Sequence, residues 1–137
     1  MYDIKTGIRV KDVMDKKFPI LDISIPLIRC IKKINHQHEA CIIVRDGKFY
    51  GVLGYDDLLR GFMYGRDKDS RIEDIKITNN YETVTPDLDV HKTLELINKT
   101  GKDFVLVKDK DHFVGLVTKR EIIDVGPELF LNVKENL

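Results

Sequence analysis

Apolar residues recur along this chain with two alternating periods. Leu27, Cys30, Ile31 and Ile34 fall at i, i+3, i+4 and i+7, the stripe of a helix buried on one side. Ala40 to Val44 is almost continuously apolar, as in a strand covered on both faces. Arg45-Asp46-Gly47-Lys48 carries an Asp-Gly hairpin turn, and Phe49 to Leu53 is the returning strand. A helix from Asp56 to about Phe62 closes the series. The pattern then repeats. Val90, Leu94 and Ile97 form a second stripe, with Thr93 beside them, and Phe104 to Val107 forms a second strand. Lys108-Asp109-Lys110-Asp111 turns, His112 to Val117 returns, and Lys119 to about Val125 closes. Short extended pieces, Phe18 to Leu21 and Glu82 to Val84, precede the two long helices, and short helical turns near 10–14 and 72–75 precede those. Ser24 and Asp87 are the expected N-caps, with Pro26 in the first turn. Gly101 and Gly126-Pro127 are the expected helix stops.

The two series superpose as an internal repeat. Val10-Lys11-Asp12-Val13-Met14 matches Ile72-Glu73-Asp74-Ile75-Lys76. Ser24 and Asp87, Leu27 and Val90, Ile31 and Leu94, and Ile34 and Ile97 each stand 63 residues apart. In the same register Cys41 to Val44 falls on Phe104 to Val107, and one extra residue is assigned to the second hairpin turn. Gly51-Val52-Leu53-Gly54-Tyr55-Asp56-Asp57 then lies 64 residues before Gly115-Leu116-Val117-Thr118-Lys119-Arg120-Glu121. The expected fold class is α+β, with the order β-α-β-β-α twice and helices packed on a three-stranded sheet in each repeat. One such unit is too small to bury its apolar sheet face, whereas a pair can. The expected boundaries are 1–65 for the first repeat with its N-terminal segment, 66–127 for the second, and 128–137 for a tail. That tail carries Leu129, Phe130 and Leu131, which can dock on the protein or on a second subunit, or fray.

Composition narrows the function. The chain has 137 residues, the size of one ordinary domain. It carries 23 basic and 23 acidic side chains, so a nucleic-acid binder working by bulk electrostatics is not expected. Charged residues make up 34% of the chain, above the usual quarter, an excess of the kind thermophile proteins carry. Cys30 and Cys41 lack CxxC spacing and read as buried thiols. No apolar run approaches eighteen residues, and Met1 to Lys5 lacks the pattern of a signal peptide, so a cytoplasmic protein without a membrane span is expected. His36-Gln37-His38-Glu39 places two histidines two residues apart at a helix end, the wrong spacing for zinc. His91 and His112 have no acid–base partner in the sequence, and nothing pairs a nucleophile with a base. Neither an enzyme nor a metal site is expected.

The chemistry concentrates at the two echoing stretches. Thr118, Lys119, Arg120 and Glu121 bring a hydroxyl, two cations and a carboxylate to a helix start. A carboxylate suits the two donors of a ribose diol, and unpaired N–H groups at a helix start suit a phosphate. Thr118 and Glu121 also have the spacing of a capping box, which needs no ligand.

These residues resemble a tandem pair of CBS domains, a Bateman module. The repeat, the Val-Lys-Asp-Val-Met opening and the Gly-apolar-apolar-x-x-x-acid endings carry the resemblance over residues 8 to 125. It implies two pseudo-twofold-related repeats with a cleft on each side, often paired into disc-like dimers. It also implies a regulatory module that binds an adenosine-containing ligand (AMP, ADP, ATP or S-adenosylmethionine) in the clefts between the repeats. Output then passes through a homodimer or through an unidentified regulated protein. By that resemblance the second site takes Thr118 for phosphate, Glu121 for ribose and Lys119 or Arg120 for phosphate charge. Thr83, Val84 and Thr85 line one wall, and Lys102, Asp103, Phe104 and Val105 line the adenine side. The first site takes Leu21, Asp22, Glu39, Ala40, Cys41, Ile42, Gly54 and Asp57. It is expected to be the weaker, because Gly54 stands where Thr118 supplies a hydroxyl. Glu121 departs from the family's aspartate or asparagine by one methylene. The alternative function is a ligand-free dimerisation or scaffold module.

Overall fold

The computed structural model of the chain describes residues 6–36, 40–77 and 81–125. The element order is α1 (Val10–Val13), β1 (Ile20–Asp22), α2 (Leu27–His36), β2 (Ala40–Arg45), β3 (Lys48–Gly54) and α3 (Tyr55–Met63). A 3₁₀ turn (Ile72–Asp74) follows, then β4 (Thr83–Val84), α4 (Val90–Thr100), β5 (Phe104–Asp109), β6 (His112–Thr118) and α5 (Lys119–Asp124). Two three-stranded sheets form, ordered β1-β2-β3 and β4-β5-β6. In each, the first strand runs parallel to the second and the hairpin is antiparallel. This is the expected α+β architecture of two β-α-β-β-α repeats.

In space the chain divides differently from the sequence repeat. The first compact unit comes from residues 18–80, and the second from 1–17 together with 81–137. Each repeat's opening segment therefore packs in the unit that holds the other repeat's sheet. The hydrogen bonds that seat the two segments match position by position. In the second unit the N–H groups of Val10 and Lys11 donate to Leu88 O and Pro86 O, each at 2.9 Å, and Val90 N donates to Ile8 O at 2.8 Å. In the first unit Ile72 N donates to Ile25 O at 3.0 Å, Glu73 N to Ile23 O at 2.9 Å, and Leu27 N to Ser70 O at 2.7 Å. Val10 and Ile72 are both fully buried, so each segment also adds an apolar anchor to its host core.

Strand register corrects the sequence alignment. Ala40 lies opposite Gly54 as Phe104 lies opposite Thr118, so a 64-residue offset holds from the first residue of each hairpin. Both turns have two residues, Asp46-Gly47 and Lys110-Asp111, with Asp46 and Lys110 at φ 52° and 56°. The extra residue is not in the second turn. It falls before β5, and α4 has 11 residues against 10 in α2. Val105, not Phe104, is thus the counterpart of Cys41. A uniformly apolar run cannot reveal a one-residue slip, whereas the pleat can. Cys41 and Ile43 join the core under α2, and Val105 and Val107 join the core of the second unit.

The helix starts are also corrected. α4 is capped by Asp89, not Asp87. Asp89 accepts from His91 N at 2.9 Å, from Thr6 N at 3.0 Å and Thr6 Oγ1 at 2.9 Å, and from Gly7 N at 3.1 Å. Asp89 immediately precedes the first helical residue, whereas Asp87 lies two residues farther out and pairs with Lys11 Nζ at 3.2 Å. Ser24 does not cap α2, because its N–H and hydroxyl both turn back to Asp22 after β1. Gly101 ends α4 at φ 69°, as expected.

Candidate functional site

Each unit places a carboxylate at the junction where the returning strand becomes the closing helix. In the second unit Thr118 is the last residue of β6, extended at φ −114° and ψ 173°, and only 2% exposed. Its N–H donates to Glu121 Oε2 at 2.9 Å, and its hydroxyl donates to the same oxygen. The hydroxyl oxygen accepts from Arg120 N at 3.2 Å. The capping box anticipated from the spacing is therefore formed. Both contacts fall on Oε2, and among the described residues Glu121 Oε1 accepts no hydrogen bond. Lys119 reaches across to Asp103, with Nζ 3.3 Å from Oδ1 and N donating to Asp103 O at 3.3 Å. Arg120 forms no ion pair with the described residues. Of the two cations at this junction, Arg120 is the one whose charge no described residue shares.

The first unit builds the same corner with different chemistry. Gly54 N donates to Asp57 Oδ2 at 3.0 Å, and Arg60 Nη2 donates to Asp57 Oδ1 at 2.6 Å. Both oxygens of Asp57 are engaged, and the residue is 5% exposed. Arg60 was not singled out from sequence, although Asp57 and Arg60 have the i, i+3 spacing that lets helical side chains meet.

The expected second-site residues fall into two groups. Asp103, Phe104 and Val105 gather at the junction, where Phe104 pairs with Thr118 and Val105 with Val117. Lys102 adjoins them and its N–H donates to Thr100 Oγ1 at 3.3 Å. Thr83 and Val84 pair instead with Leu106 and Val107, on the opposite flank of the central strand from Thr118. With Thr85, Leu88, Leu96, Lys108 and Lys110 they line a groove of about 560 Å³. In the first unit Ala40, Cys41 and Ile42 pair with Gly54, Leu53 and Val52, while Leu21 and Asp22 pair across β2 with Ile43 and Val44. Glu39 lies outside the described residues, as do the His36-Gln37-His38-Glu39 loop side chains, Gly126-Pro127 and the 128–137 tail.

Electrostatics accounts for the remaining ionisable candidates. Hydrogen bonds from the Ser24 hydroxyl and N–H hold Asp22 below the usual carboxylate range. Cys30 and Cys41 are free and fully buried. The Cys30 thiol is pushed well up, first by its hydrogen bond with Cys41 and then by burial, which makes it a poor nucleophile. Among the described residues no His, Cys, Asp and Glu group could hold a metal ion, and no helix is long and apolar enough to cross a membrane.

Two tandem sheets of this order, each ending in a carboxylate-bearing strand–helix corner, define a CBS-type pair. The CBS-domain family model matches residues 10–64 and 72–128, and the chain belongs to that family. An uncharacterized conserved protein from Pyrococcus horikoshii superposes with a TM-score of 0.77 at 19% identity, over 91% of this chain and 95% of that one. A CBS domain pair solved in complex with 5′-methylthioadenosine and S-adenosyl-L-methionine superposes with a TM-score of 0.72 at 24% identity, over 88% of this chain and 96% of that one. The A-adding tRNA nucleotidyltransferase of Aquifex aeolicus is 24% identical over 123 residues, 88% of this chain. The chain spans only 15% of that enzyme's length.

Proposed function

We propose that this protein is a non-catalytic regulatory module that binds an adenosine-containing ligand, with the Thr118–Glu121 junction as its stronger site. The observation that carries this reading is the geometry of Glu121. One carboxylate oxygen closes the capping box, and the other accepts nothing from the described residues beside an unshared Arg120. A ribose diol offers donors to that oxygen, Arg120 suits a phosphate or carboxylate, the Thr118 hydroxyl joins it only by releasing Glu121 Oε2, and the Phe104 strand start supplies apolar surface with backbone partners for adenine. The adenosyl ligands of the similar CBS pair support the ligand class. AMP, ADP, ATP and S-adenosylmethionine all meet these requirements. The output runs through a homodimer or a regulated protein in the cytoplasm.

The formed capping box favours one other reading, a ligand-free dimerisation module in which Thr118 and Glu121 serve the helix start alone. Calorimetry with each of the four ligands separates the two. The regulatory reading expects heat with at least one ligand, and loss of it in Glu121→Ala. No heat at millimolar ligand, with assembly indifferent to nucleotide, supports the scaffold.

A further inference from the structure

Beyond α3 the first unit carries a second feature that the adenosine reading does not use. Arg60, Gly61, Tyr64, Arg66, Asp74, Ile75 and Lys76 enclose a groove of about 530 Å³, the size of a small-ligand pocket. Its floor is apolar and tight. A Cβ on Gly61 would stand 3.1 Å from Ile75 Cδ1, so glycine lets α3 lie directly against the segment after the 3₁₀ turn. Its rim holds Arg66 and Lys76 against Asp74, with Arg60, already ion-paired to Asp57, as a third cation, and Asp74 Oδ2 accepts from Arg71 N at 2.9 Å.

The groove lies at the carboxyl end of α3, where bare carbonyls would repel an anion. Here three of them are covered. Tyr64 N donates to Arg60 O and Gly61 O, Gly65 N to Phe62 O at 3.1 Å, and Arg66 N to Gly61 O at 3.0 Å, with Gly65 at φ 84° completing the turn. Asp57 Oδ1 holds Arg60 through Nη2, and a guanidinium has five N–H donors, more than one carboxylate oxygen can take up. The repeat shows that this charge is not inherited from the fold. The counterparts of Arg60 and Lys76 are Asp124 and Met14, so the equivalent position of the second unit lacks both cations.

We propose that this groove is a binding site for a small polyvalent anion of the pyrophosphate class, separate from the strand–helix junctions. Arg60 supplies the fixed fork, Arg66 and Lys76 supply adjustable charge, and the Tyr64 hydroxyl supplies a neutral donor.

The test is calorimetry of inorganic pyrophosphate against the full chain at physiological salt, followed by amide chemical-shift mapping. Arg66→Ala with Lys76→Ala is compared with Lys32→Ala with Lys33→Ala, which removes the same charge from exposed positions on α2 of the same unit. The expected result is about a tenfold or greater loss of affinity in the first pair, no more than about a twofold change in the second, and shifts centred on Gly61, Gly65 and Ile75. No binding by the unaltered protein, equal losses in both pairs, or shifts centred on the Gly54 or Thr118 junctions would overturn the site.

Discussion

Arg60 Nη2 stands 2.6 Å from Asp57 Oδ1, and the residue three positions beyond Glu121 in the matching helix is Asp124, an acid in place of the guanidinium. The two corners of the repeat therefore hold their carboxylates differently. Asp57 is turned inward and shared between Gly54 N and Arg60, while Glu121 keeps one oxygen out of its own capping box. The absent hydroxyl at Gly54 was already a reason to expect a weaker first site. The engaged carboxylate is a second and independent reason.

That asymmetry predicts a difference between two substitutions. Glu121→Gln should weaken adenosyl-ligand binding by about tenfold or more, since a hydrogen bond to a charged group contributes about 1.5–3 kcal/mol. Asp57→Asn should leave the tighter binding event nearly unchanged while lowering stability, because it removes the charged partner of Arg60. Calorimetry reads the first effect and urea unfolding the second. Equal losses of affinity in both variants would contradict the ranking of the sites.

The exchange of opening segments predicts an unusual cost at a glycine in a strand. A Cβ on Gly115 would stand 2.5 Å from Met14 Sδ, 2.9 Å from its Cγ and 3.0 Å from its Cβ. The clash reaches the root of the methionine side chain, so rotation of its tip cannot relieve it. Gly115→Ala should destabilise the protein by about 1–3 kcal/mol, and Met14→Ala in the same chain should recover part of that loss. Additive destabilisation in the double variant would show that Met14 does not lie against β6.

Asp89 gives a pH dependence with a definite sign. Burial raises its pKa, but hydrogen bonds from His91, Thr6 and Gly7 outweigh that and leave it below the ordinary carboxylate value. A depressed folded-state pKa means that the contribution is present above the unfolded value of about 4 and is lost as pH falls through the folded one. Unfolding midpoints should therefore drop below about pH 4, and Asp89→Ala should flatten part of that drop. At neutral pH the same variant should cost about 1–2 kcal/mol from the lost cap, with faster amide exchange at Thr6 and Gly7.

The repeat was legible because it rests on helix periods and turn chemistry, which are local. The exchange of Val10 and Ile72 between units was not, since both segments match each other equally well whichever sheet they cover. The Thr118–Glu121 pairing was legible from its three-residue spacing, and its ambiguity between cap and ligand site was equally so. The role of Asp89 was hidden by Asp87 two residues earlier. Choosing between them requires knowing that Thr6 returns from far along the chain. The one-residue register error in β5 came from an apolar run in which Phe104 and Val105 are interchangeable by hydropathy but face opposite ways.

The register of β5 leaves a buried hydroxyl of α4 orphaned among the described residues. Cys30 and Thr93 are counterparts 63 residues apart, and both are fully buried. In the first unit Cys41 gives the Cys30 thiol a hydrogen-bonding neighbour. In the second unit the corresponding residue is Val105, which cannot accept a hydrogen bond, and Thr93 Oγ1 has no partner among the described residues. A buried hydroxyl left without a partner costs about 1–3 kcal/mol relative to its hydrated state, while valine has the same shape and no such cost. Thr93→Val should therefore raise stability by about 1 kcal/mol or more, read as a higher urea midpoint at unchanged slope. Thr93→Ser should not reproduce the gain, since it keeps the hydroxyl and removes a packed methyl. A loss of stability in Thr93→Val would show that the hydroxyl is satisfied in solution, and the contrast with Cys30 would then not be the source of the difference between the two cores.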